Sequence, residues 1–116
     1  MAYDELLADR VRQVLNRKKV ISVEKKMMGG LCFMVDDKMC VGIHKVELMC
    51  RIGPDEYGKS LEKTGCKEMN FTGRAMKGFV WVEPEAVDND NDLEYWVDLC
   101  LAFNPRAKSS KKKKEN

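Results

Sequence analysis

Five cysteines and a single histidine are the side chains in this sequence whose chemistry would be easiest to recognise. Cys32, Cys40 and Cys50 are separated by seven and nine residues. On three neighbouring strands facing one way, their thiols would approach one another, and zinc would then need a fourth ligand. No C-x-x-C pair occurs and the spacing fits no zinc pattern, so the sequence assigns no metal site and no cofactor. Burial as small apolar groups accounts for these cysteines, with Cys66 and Cys100, more simply. His44 has no nucleophile or acid beside it and reads as a surface turn residue, not a general base. No carboxylate pair stands out. Gly73-x-x-x-x-Gly78 is not a phosphate loop, because Lys77 precedes the second glycine instead of following it. The expectation is a protein that is not an enzyme.

Cations offer a second chemistry. Lys25, Lys26, Arg51, Arg74 and Lys77, interleaved with Phe71, Phe79 and Trp81, would suit a single-stranded nucleic acid if they formed one patch. Charge balance argues against a dedicated binder of that kind. Of 116 residues, 21 are Lys or Arg and 19 are Asp or Glu, but residues 106–116 hold six of the bases and one of the acids. The body therefore carries 15 bases against 18 acids, a mildly acidic domain followed by a lysine-rich tail. That tail, including Lys111–Lys114, reads as a disordered segment able to make weak, salt-sensitive contact with nucleic acid.

Periodicity places these residues on elements. Leu6, Leu7, Val11, Val14 and Leu15 make one helical stripe over residues 4–18, with acids early and bases late. Four strands follow: Val20–Met27, Leu31–Val35, Met39–Ile43 and Glu47–Ile52, joined by Gly29-Gly30, Asp36-Asp37 and His44-Lys45. In the fourth, Leu48, Cys50 and Ile52 alternate with Glu47, Met49 and Arg51. Pro54 opens a short helix that ends near Lys63. Lys67–Phe71 and Phe79–Val82 are strands joined by residues 72–78, and Asp92–Phe103 is a final helix. The order α-β-β-β-β-α-β-β-α with short connections predicts an α+β, two-layer fold: an antiparallel sheet of about six strands with helices on one face. One domain over residues 1–105 is expected, then the tail. Leu31–Val35 and Phe79–Val82 are apolar on both faces, so one sheet face should display large side chains such as Phe79 and Trp81 or Phe33. A protein partner or a second copy of the chain would cover it. The acidic start, the odd cysteine count and the lack of a long apolar run point to a soluble, cytoplasmic protein with no membrane segment.

Several segments resemble one family. Glu24-Lys25-Lys26-Met27-Met28-Gly29-Gly30-Leu31-Cys32-Phe33-Met34 is similar to the KKMFGGLCFM signature of the TfoX (Sxy) N-terminal domain. Met39–Gly42 and Leu48–Pro54 resemble its next segment, Met69–Gly78 resembles its MDFTGRPMKG signature, and the Leu93–Phe103 helix fits its ending. The resemblance covers about residues 1–104 and departs at Met28, where an aromatic is usual, and at Ala75, where proline is usual. It implies kinship with transcriptional regulators of competence, the uptake of DNA, whose full-length forms carry a second, helical domain; here a stand-alone first domain is expected. The expected function is that of a regulatory or adaptor domain acting by protein contact, with the transcription machinery one candidate partner. A nucleic-acid-associated accessory factor is the alternative. The expected partner-binding surface comprises Lys25, Lys26, Gly29, Gly30, Arg51, Phe71, Gly73, Arg74, Met76, Lys77 and Gly78, on two loops that would offer backbone N–H groups and cations together.

Overall fold

The computed structural model describes residues 3–27, 29–71 and 74–107, and the side chains of all of these except 27, 70, 71 and 74–76. Asp4 caps the first helix, α1 (Glu5–Arg17), by accepting hydrogen bonds from the backbone N–H groups of Leu6 and Leu7 at 3.0 and 3.2 Å. Four strands follow: β1 (Val23–Met27), β2 (Gly30–Val35), β3 (Lys38–His44) and β4 (Glu47–Arg51). Then come α2 (Pro54–Leu61), β5 (Cys66–Phe71), β6 (Arg74–Val82) and α3 (Asp90–Phe103). Asn89 caps α3 through the N–H of Asn91 at 2.7 Å. No helix among the described residues is long and apolar enough to cross a membrane.

The six strands form one antiparallel sheet in the order β1-β2-β3-β4-β6-β5. The element order and the α+β class are those the sequence predicts. Two connections differ. Asp36 and Asp37 do form a two-residue hairpin turn, both with positive φ. The next turn is Lys45-Val46, because His44 still belongs to β3 and pairs with Glu47. The second difference is larger. Residues 74–78, expected to connect, are the first half of β6. Gly78 takes a positive φ of 94° and its carbonyl accepts from the N–H groups of Ile52 and Gly53 at 2.8 and 3.1 Å. The glycine thus bends a continuous strand instead of ending one.

The helices lie on one face. Leu7, Val11, Val14 and Leu15 of α1, Tyr57 of α2, and Leu93, Trp96, Val97 and Cys100 of α3 share a single core with Leu31, Phe33, Val41, Ile43, Leu48, Cys50, Val80 and Val82 of the sheet. Ion pairs fasten this layer at its rim. Arg12 of α1 grips Glu24 of β1 with two hydrogen bonds of 2.6 and 2.9 Å, and Lys18 reaches Glu94 and Asp98 of α3 at 2.8 and 2.9 Å. A bulge at Cys40 shifts the β2–β3 ladder, since Phe33 faces Val41 while Met34 faces Met39. Cys40 and Val41 therefore both point into the helical layer.

Two glycines let neighbouring strands approach closely. A Cβ on Gly30 would stand 2.2 Å from the carbonyl oxygen of Ile43, and one on Gly42 would stand 2.9 Å from that of Leu31. Gly58, by contrast, lies in α2 with nothing within 4 Å of such a Cβ. Gly30→Ala should therefore destabilise the domain by about 2 kcal/mol or more, because the clashing atom is backbone. Gly58→Ala should stabilise it by about 0.5–1 kcal/mol, as alanine replacing glycine inside an exposed helix does. Urea unfolding midpoints of the two variants, on either side of the parent's, check both signs.

Candidate functional site

Among the described residues, no helix lies over the second face of the sheet. Its side chains form a separate cluster: Cys32, Met34, Met49 and Met69 are buried, with Met39, Phe79 and Trp81 packed half-buried around them. The strand register explains the grouping. Lys25, Cys32, Gly42, Met49, Trp81 and Lys67 are successive cross-strand neighbours from β1 to β5, and such neighbours share a face. The gap left by Gly42 is crossed by Met49, whose Cε lies 3.3 Å from where a Gly42 Cβ would be. His44 is not on a loop; its ring is 5.6 Å from that of Trp81, centroid to centroid, tilted by 38°. Cys32, Met39, Met49, Met69, His44 and Trp81 line a cleft of about 70 Å³ whose wall is mostly sulfur, aromatic ring and glycine backbone.

Cations border this face. Lys25 is exposed beside Cys32. Arg51 sits where β4 ends, its guanidinium 5.2 Å from the centre of the Phe79 ring and 6.0 Å from that of Phe103, and it donates to the Met39 carbonyl at 3.4 Å. Burial pulls Arg51 below the usual arginine pKa. Lys67 is held by Glu47 at 2.6 Å and Glu83 at 3.4 Å, so its charge is balanced locally.

The cysteines do not gather on one side. Cys32 faces the helix-free cleft, whereas Cys40 and Cys50 face α3 and meet Cys100 in a row of hydrogen-bonded thiols. The bulge turns Cys40 inward, and the register sets Cys50 on the face opposite that of Cys32, which shares its face with Gly42 and Met49. Cys100 also accepts from the Arg51 backbone N–H. All five cysteines are unbridged and buried. Burial pushes the Cys32 thiol up to about 11 and Cys66 likewise to about 11. The hydrogen bond to Cys100 and burial push Cys40 far higher, and burial does the same for Cys100. Among the described residues, no group of three or more His, Cys, Asp or Glu is placed to hold a metal ion.

The expected partner surface is distributed differently from the sequence reading. Lys25 pairs across from Cys32 and Lys26 across from Leu31, so the two lysines flank opposite faces. Gly29 has φ of +76° at the β1–β2 turn, while Gly30 and Gly78 are buried backbone positions. The β1–β2 turn lies at one edge of the sheet, beside the start of β2 and the end of β3. The β5–β6 hairpin has its Phe71–Arg74 end at the other edge and the opposite end of the strands. The two loops are thus at diagonal corners and do not form one patch. Lys77 is exposed. Gly73 and the side chains of Phe71, Arg74 and Met76 lie outside the described residues. Phe33, one candidate for exposure, is fully buried under the helices; Phe79 and Trp81 are the aromatics of the helix-free face. The sequence signal for this cluster is the apolar character of both faces of Leu31–Val35 and Phe79–Val82; it does not reveal the part played by the methionines.

Fold and site define a small two-layer α+β domain whose sheet, among the described residues, keeps one face free of helices. The chain belongs to the TfoX N-terminal domain family, which matches residues 21–104. It is accordingly a competence-regulator-like domain, in a family not known for enzymatic activity. Comparison with curated proteins and with solved structures gave no match.

The thiol environments predict a graded reactivity. With its pKa near 11, Cys32 is thiolate in only about one molecule in a thousand at pH 8, so a disulfide reagent should label it slowly. Its rate should rise about tenfold per pH unit toward that value. Cys40, Cys50 and Cys100 should react no faster than the domain unfolds. Peptide mapping after timed labelling reads this out, and prompt modification of Cys100 at pH 8 would contradict it.

Proposed function

We propose that this chain is a regulatory domain that works by protein contact on the helix-free face of its sheet. The partner segment it suits carries apolar side chains next to acidic ones. One observation carries this reading: a methionine-rich, aromatic surface with no helix over it among the described residues is bordered by the cations Lys25 and Arg51. Methionine is unbranched and polarisable, so such a surface adapts to an incoming apolar segment. Half-buried Phe79, Trp81 and Met39 supply contact area. The bordering cations favour acidic flanks and set orientation. Membership in a family of competence regulators supports a regulatory partner, of which a component of the transcription machinery is one. The proposed working residues are thus Lys25 and Arg51 of the original set, joined by Met39, Phe79 and Trp81.

The nucleic-acid reading gains less, because Lys25 and Lys26 flank opposite faces and the two loops are at opposite corners. The test is complementation in the source cell. Transcripts of DNA-uptake genes should fall when the gene is deleted and return with the parent chain. Lys25→Glu combined with Phe79→Ala should fail to restore them while retaining the parent's circular dichroism. Full restoration by that folded variant would reject the surface. Binding to short DNA that survives physiological salt and removal of residues 106–116 would favour the nucleic-acid reading instead.

A further inference from the structure

The four methionines whose side chains are described, Met34, Met39, Met49 and Met69, all lie on the helix-free face. The larger helix-side core, built from Leu, Val, Ile, aromatic and Cys residues, contains no methionine. Gap-filling alone would scatter thioethers through both clusters. Here three of the four, Met39, Met49 and Met69, converge with one thiol and one imidazole on one small cleft.

From this convergence we propose that the cleft is a binding site for a soft monovalent cation, Cu(I), held by the Cys32 thiolate and the thioethers of Met49, Met69 and Met39, with His44 and Trp81 at its mouth. The donor set is the one that selects Cu(I): thiolate and thioether sulfur with imidazole, and no carboxylate among the lining residues. The size fits an ion. About 70 Å³ is well below the roughly 300–1,000 Å³ of a small-molecule pocket. The backbone holds the donors together. With no side chain at Gly42, Met49 leans across β3 toward Cys32, since Cys32 and Met49 are the two cross-strand neighbours of Gly42. Trp81 leans across β4 to reach His44, closing the mouth with an aromatic ring that can face a cation. On binding, a sulfur–copper bond forms at Cys32 Sγ and the thiol proton leaves to solvent; no electron is transferred. The proposal needs no partner protein, so it stands or falls apart from the reading above.

The test uses the full chain. Cu(I) is titrated anaerobically against a chromophoric Cu(I) chelator, and Ag(I), which is redox-inert, is titrated while tryptophan fluorescence is followed. One equivalent of either ion should bind, and Ag(I) should quench fluorescence in the parent but not in Trp81→Phe. Cys32→Ser should weaken Cu(I) retention at least about 100-fold, and Met49→Leu with Met69→Leu about tenfold or more, at the scale seen when metal-site groups are removed. The leucine pair conserves volume and keeps the test open if the serine variant fails to fold. Cys100→Ser should leave retention unchanged. No binding at one equivalent, or binding unchanged in the Cys32 and methionine variants but lost in Cys100→Ser, would overturn the site.

Discussion

Three helices cover one face of a six-stranded sheet, and the fate of the other face's apolar side chains governs the rest of the molecule. On the helix side the solution is conventional. Stripes from α1 and α3 seal Phe33, Val41, Leu48 and Val80 from water, each essentially without exposure. On the other side no helix is available among the described residues. Cys32, Met34, Met49 and Met69 nonetheless fall below a tenth of full exposure. They achieve it by covering one another, with Phe79, Trp81 and Met39 as a partial lid. Long, flexible side chains suit that task, because they can lie flat along a sheet surface where branched ones would stand upright.

Glycine is the complement of those long side chains. The signature Gly29-Gly30 reads in the sequence as a connection between two strands. In place, Gly29 turns the chain and Gly30 admits the carbonyl of Ile43 at a distance that excludes any Cβ. Gly42 works similarly against Leu31 and gives Met49 room to cross. The same residues that permit close strand approach thereby open the floor of the cleft. Sheet geometry and cleft geometry have one cause.

That cleft can be read at two scales. Its rim, with Arg51 braced between the Phe79 and Phe103 rings and Lys25 beside Cys32, has the size and charge of a protein-contact surface. Its floor is too small for a side-chain-rich ligand and has donor chemistry of its own. The helix-side row of Cys40, Cys100 and Cys50 shows the contrast: fully buried, with the Cys40 and Cys100 thiols pushed well above their ordinary pKa, it behaves as core.

Elements and their order were legible in the sequence, because helical stripes, strand alternation and turn residues are local signals. The alternation of Leu48, Cys50 and Ile52 against Met49 was correct as read, and Asp36-Asp37 forms the expected turn. The family, too, could be named from short segments in the right order. Tertiary structure alone decided which strand borders which and what each face meets. The bulge separates Cys32 from Cys40; the register across β2, β3 and β4 sets Cys50 on the face opposite Cys32; the order β1-β2-β3-β4-β6-β5 sets the two glycine loops at diagonal corners. Each of these depends on pairing between residues far apart in the chain, and a bulge of one residue reverses the faces of everything beyond it. Local periodicity carries no record of such a shift, so the methionine-lined face emerges only once the sheet is assembled.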